Sequence, residues 1–190
     1  MSGVINRARS KSGDVGARAG LEFIEKKIWV TADSDTMTVP NCFSDEFDSY
    51  FVQIRITPST STHDVKMRWI NDGSADGTSN YQHTFVGIDW DGTSYTFAGL
   101  NSAQNYLTPN CHNSTAWGCE ASLWVYGARD TSRNIYAQGN VSFLHGTDHL
   151  VGGQWSGAWS GTAPGWEGIT AYCSSTLRDG SHITVYGVRT

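Results

Sequence analysis

Residues 48–57 read DSYFVQIRIT, and their alternation decides the fold class. Tyr50, Val52, Ile54 and Ile56 fall on one face, while Gln53, Arg55 and Thr57 fall on the other, with Phe51 the exception. Successive side chains of an extended chain leave opposite faces, so period two over this length predicts a half-buried strand. Residues 64–71, DVKMRWIN, repeat the device, with Val65, Met67 and Trp69 opposite Lys66 and Arg68. The polar stretch between them, around Pro58, is expected to be a turn.

Working outward, the same criterion predicts strands at 23–30 (FIEKKIWV), 79–87 (SNYQHTFVG), 121–127 (ASLWVYG), 134–144 (NIYAQGNVSFL), 166–173 (WEGITAYC) and 181–188 (SHITVYGV). Turn clusters such as NDGSADGTSN at 71–80 and DWDGTS at 89–94 separate them. Antiparallel strands with one wet face, long Gly/Ser loops and no βαβ rhythm predict an all-β, jelly-roll-like antiparallel sandwich over residues 23–190. Val52, Ile54, Val65, Met67, Trp69, Val125, Ile183 and Val185 are its expected inward residues. The sequence ends on a strand-like run, which is expected to be built into a sheet, because a loose β-forming end is a sticky edge.

Composition agrees. The 190 residues include 21 Gly, eight Trp, eight Tyr and seven Phe, while charged residues make up only 16%. That profile favours strands and turns. A net charge of -5 argues against nucleic acid or an anionic membrane as partner, since such binding draws on Lys and Arg. Residues 1–20 run against this trend: Arg7, Arg9, Lys11 and Arg18 face a single Asp14, which leaves the rest of the chain near -8. Residues 1–22 are therefore read as an extended, basic, Gly-rich arm without a hydrophobic face, which would order by docking on a neighbouring subunit, with a tag or flexible tail as the plainer alternative. No apolar run of signal-peptide or membrane-span length is present, and assembly in a cytosol is expected.

Cys42, Cys111, Cys119 and Cys173 allow three pairings, and buried thiols are the default in a reducing compartment. Cys111, His112 and Cys119 lie close in sequence, but C-x7-C without a CxxC or a second ligand-distance His does not predict zinc. A Cys111–Cys119 disulfide, formed after release into an oxidising medium, is the better alternative. The triplets headed by Asn113 and Asn140 fit glycosylation only in a host that performs it. GIDWDGTSY at 87–95 has the D-x-D-G look of a calcium loop but lacks its distal Glu, so a hairpin turn is expected. Asp45, Glu46, Asp48 and six His occur without any nucleophile elbow, zinc pair or phosphate loop. No enzyme, cofactor or metal is expected.

The stretch GGQWSGAWSGTAPGWEG, residues 152–168, places Trp155, Trp159 and Trp166 among Ser and Gly. Such a composition can present flat rings on a flexible rim, and makes the three a candidate recognition surface. Trp155 and Trp159 are expected to be exposed; Trp166, which adjoins EGITAYC, is expected to be structural.

Three stretches, FDSYFVQIRI, VKMRWINDGSADGTSNYQHTFVG and GITAYCSSTLRDGSHITVYGVRT, resemble the C-terminal domain of small bacteriophage virion proteins, many of them of tail-fibre type. The matching positions are Phe47, Asp48 and Tyr50; Arg68, Gly73, Ser79, Asn80 and Tyr81; Gly168, Ile169, Tyr172, Ser174 and Ser175; and Gly180, Ile183, Val185, Tyr186 and Gly187. The resemblance covers about residues 45–190. It implies a β-sandwich that assembles, usually as a trimer, on a phage particle, and it implies no catalytic residues. Arg7, Arg9, Lys11 and Arg18 would then belong to the segment that holds the virion, with tail or capsid proteins as partners and a host surface glycan as a further candidate. No coiled-coil or repeat shaft lies between arm and domain, which fits a short appendage or a capsid decoration protein better than a long fibre. A free carbohydrate-binding module is the reading from another class.

Overall fold

The computed structural model describes residues 20–29, 34–60, 63–89, 92, 94–104, 106–107, 112–113, 118–145, 149–161 and 164–189. Its strands are β1 (Gly20–Ile28), β2 (Thr36–Val39), β3 (Ser49–Ile56), β4 (His63–Asp64), β5 (Lys66–Asn71), β6 (Ser74–Ala75) and β7 (Tyr81–Asp89), followed by β8 (Ser94–Gln104), β9 (His112–Asn113), β10 (Cys119–Tyr126), β11 (Tyr136–His145), β12 (His149–Trp159), β13 (Gly168–Tyr172) and β14 (His182–Arg189). Every pairing is antiparallel. An eight-stranded sheet, β1-β14-β3-β10-β11-β12-β7-β8, packs on a four-stranded sheet, β2-β13-β5-β6, and β4 pairs with β9 alone. This is the expected all-β sandwich.

All eight residues named as inward from alternation are in the core, none more than 3% exposed. Phe43, in the segment between β2 and β3, bridges the two sheets: its ring lies 4.6 Å from that of Tyr50 on β3 and 6.2 Å from that of Trp69 on β5. A second tie is made by Leu107, whose backbone exchanges hydrogen bonds of 2.7 and 2.8 Å with Met67. Strand β1 begins at Gly20, and a bulge between Phe23 and Glu25 turns Ile24 onto the core. That explains why FIEKKI lacks clean alternation.

Turn chemistry follows the sequence. β5 and β6 are joined by Asp72 and Gly73, both at positive φ (51° and 70°), as a two-residue type I′ hairpin requires. GIDWDGTSY spans the β7–β8 hairpin, where the Gly92 N–H donates to the Asp89 carbonyl at 3.1 Å.

Several positions that carry the resemblance act as pins of this fold. The Ser44 N–H donates to the Tyr50 hydroxyl at 2.6 Å, and that hydroxyl donates to the Ser44 carbonyl at 2.5 Å. The Tyr81 hydroxyl accepts from the Trp69 N–H at 3.2 Å and donates to the Asp76 carbonyl at 3.3 Å. A side chain at Gly187 would run into the Phe47 ring, and one at Gly168 into the Val39 carbonyl.

β14 is flanked on both sides, pairing His182–Val188 with β3 and His182–Arg189 with β1. Removing residues 183–190 takes Ile183 and Val185 from the core and leaves one edge of β3 and all of β1 without partners. A chain so truncated is expected to lose cooperative thermal unfolding altogether; a cooperative melt near the intact midpoint is the result that rejects this.

Candidate functional site

The three tryptophans singled out in the sequence do not form an exposed surface. Trp155, Trp159 and Trp166 are 1%, 5% and 1% exposed. The expectation of exposure for Trp155 and Trp159 is thereby corrected, while Trp166 is structural as expected. Trp155 and Trp159 lie on a strand, β12, rather than a flexible rim, and the Ser and Gly between them have a packing role. Val151, Gly153, Trp155, Gly157 and Trp159 share the inward phase, with Gly152, Gln154, Ser156 and Ser160 exposed. A side chain on Gly157 would collide with the Trp155 ring, and one on Gly161 with the Trp159 ring. The Trp159 indole N–H donates to the Asp76 carboxylate at 2.9 Å, and its ring meets that of Trp166 edge-on at 4.9 Å. The Trp166 indole N–H has no partner, so this ring serves packing alone.

Arg7, Arg9, Lys11 and Arg18 lie outside the described residues, as does Cys111. Cys119 is a buried free thiol, as are Cys42 and Cys173. Burial pushes the Cys42 thiol up to about 12, assisted by the nearby Glu25 carboxylate, so it stays protonated and unreactive. Among the described residues, no group of three or more His, Cys, Asp or Glu could hold a metal ion.

The outward-facing positions of the large sheet form the candidate site. Register aligns Phe23 on β1, Tyr186 on β14, Phe51 on β3 and Trp124 on β10 across four neighbouring strands. Their rings touch in sequence: Phe23 to Tyr186 at 5.9 Å, Tyr186 to Phe51 at 6.2 Å and Phe51 to Trp124 at 5.1 Å. One row along, Tyr126 and Tyr136 stack at 4.8 Å. Beyond Trp124 the chemistry changes, because the same row continues as Gln138 on β11 and Ser156 on β12. Parallel to it run Gln53, Ser122, Asn140 and Gln154.

Two adjoining depressions of about 270 and 380 Å³ open here, sharing Asn140 and Gln154. The first is walled by Trp124, Gln138 and Ser156, the second by Glu120, Ser122 and Gly152. Glu120 is paired with Arg55 at 3.5 Å, both side chains about half exposed, so the pair neutralises charge and adds little stability. A further cavity of about 430 Å³, beside Phe47 and Tyr126, contains Arg129 and Arg133. Both are already bound internally, to Asp45 at 3.1 Å and Asp130 at 3.5 Å.

The outer aromatics were legible only as interruptions. Phe51 stood out as the exception in its strand, and Trp124 and Tyr186 occupy the polar phase of otherwise alternating runs in the same way. Three aromatics on the wet phase of three strands is the signal that locates this face. Neither family models, nor curated proteins, nor solved structures yield a match to this chain.

Two predictions follow from the inner face. Trp159→Phe, which loses the bond to Asp76, is expected to cost about 1–2 kcal/mol in denaturant unfolding, and Trp166→Ala about 3–5 kcal/mol. A Trp159→Phe cost near zero would show that the polar tether has no weight. His83 lies on the strand facing Gly157, its Nδ1 buried without a partner, and burial lowers its pKa below 6.5. Above that value the ring is neutral whether folded or not; below it the unfolded chain takes up the proton first. Stability is therefore lost as pH falls from 6.5 through the lowered folded value, and His83→Gln should flatten the melting-temperature profile in that window. An unchanged slope rejects the assignment.

Proposed function

We propose that this chain is a structural subunit of a bacteriophage virion: a short, trimeric surface appendage of tail-fibre type, held to the particle by its basic N-terminal segment. The observation that carries the reading is the state of β1, the strand into which that segment leads. β1 ends the large sheet, hydrogen-bonded to β14 on one side, and leaves Leu21, Phe23 and Ile28 about half exposed. Phe23 also begins the outer aromatic row. A long edge strand with three exposed apolar side chains is a liability in an isolated chain, and a symmetric neighbour seated against those side chains removes it.

The resemblance to small virion proteins supports the same reading. Phe47, Tyr50, Tyr81, Gly168 and Gly187, which carry it, are fold-forming residues here, so the likeness is one of scaffold rather than of a catalytic centre. Location on the tail or, as decoration, on the head is decided by the particle fraction that contains the protein.

The test is mass spectrometry of purified particles, with light scattering on the isolated protein. The expected outcome is a symmetric copy number in the virion and a trimer in solution. Removal of residues 1–19 should leave a folded domain absent from particles. A protein missing from every virion fraction and monomeric at micromolar concentration rejects the proposal in favour of a free binding module.

A further inference from the structure

Trp124 stands where the outer face of the large sheet passes from aromatic to polar. On one side its ring is braced by Phe51 at 5.1 Å, which fixes its orientation before any ligand arrives. On the other side lie Gln138, Asn140 and Gln154, whose carboxamides make no hydrogen bond within the described protein. Each offers both a donor and an acceptor. The floor is low because Gly152 is exposed and without a side chain; a Cβ there would meet nothing within 4 Å.

We propose that this depression binds a neutral saccharide chain, with Trp124 as stacking platform and Gln138, Asn140 and Gln154 as hydroxyl-reading groups. A pyranose ring has an apolar C–H face and a rim of hydroxyls that both donate and accept. A partly exposed indole matches the first, and carboxamides match the second. Charge selects against an anionic polymer, because Glu120, the ionisable residue at the rim, is already paired with Arg55. Strand addition by a peptide is excluded at this place, since β10, β11 and β12 are interior strands paired on both sides. An apolar protein surface would strip water from three carboxamides and return no partners. The site belongs to the domain itself and stands whether or not the chain is carried on a particle.

The experiment uses the full chain, with calorimetry and tryptophan fluorescence against hexasaccharides derived from cellulose, xylan, mannan and dextran, and an alginate hexasaccharide as the anionic probe. At least one neutral hexasaccharide is expected to bind with a Kd of ~1 mM or tighter, shifting tryptophan emission. Trp124→Ala should weaken that binding about tenfold or more. Gly152→Trp, which fills open space, should abolish it while leaving the melting temperature unchanged. The proposal is overturned if no neutral hexasaccharide binds, if binding survives both substitutions, or if only alginate binds and salt removes it. It is equally overturned if Gly152→Trp changes the oligomeric mass and leaves saccharide binding intact, which would make the face a contact between copies. None of these outcomes depends on whether the protein is found in virions.

Discussion

Space on the inner face of the large sheet is the constraint on which the rest depends. Three large rings there do not stand upright into the core; each lies along its own strand, over the next inward position, which must then be glycine. Phe85 lies over Gly87, Trp155 over Gly157 and Trp159 over Gly161. The rule has two effects. It lets a core only two sheets thick absorb the indoles of Trp155 and Trp159, 1% and 5% exposed. It also uses the residue type least suited to strands, so pairing with neighbours on both sides must hold β12 in place. β12 is accordingly an interior strand, between β11 and β7.

With the inner face filled in this way, the outer face is free to differ along its width. Near β1 it is aromatic and continuous with an exposed edge; midway along β11 and β12 it is amide, hydroxyl and bare backbone. Side chains on this face contact one another across strands, so their positions follow directly from register. A one-residue slip of β10 would carry Trp124 into the core and Leu123 into solvent. The core residue Leu123, which is wholly buried, thus fixes where the neighbouring surface ring stands.

Much of the sandwich was legible because alternation is local. All eight strands read from period two are present, and Asp72-Gly73 announced its turn. What escaped included β8, the 11-residue strand Ser94–Gln104, and β12, whose Gly and Ser mimic a loop because their role appears only once the ring over each glycine is seen. β2, four residues long, is too short for alternation to register. The division into sheets of eight and four strands was hidden for another reason, since it rests on pairings such as Ile169 with both Val39 and Trp69, which no local window contains. The candidate surface was misplaced for the same cause. Three tryptophans close in sequence drew attention to the core, while Phe23, Phe51, Trp124 and Tyr186 gather from four strands.

The pairing of Gly20 with Arg189 sets an order of events during synthesis. β1 is synthesised before the other described strands, and β14, its partner in the sheet, after them. While the strands between them are made, Leu21, Phe23 and Ile28 are exposed on a strand whose partner has not yet been synthesised. Closing so long a loop is slow, and slow pairing of distant strands is when chains aggregate. Glu22, Glu25, Lys26 and Lys27 are interleaved with those apolar residues, and their charge keeps the waiting strand from pairing with its counterpart on another nascent chain.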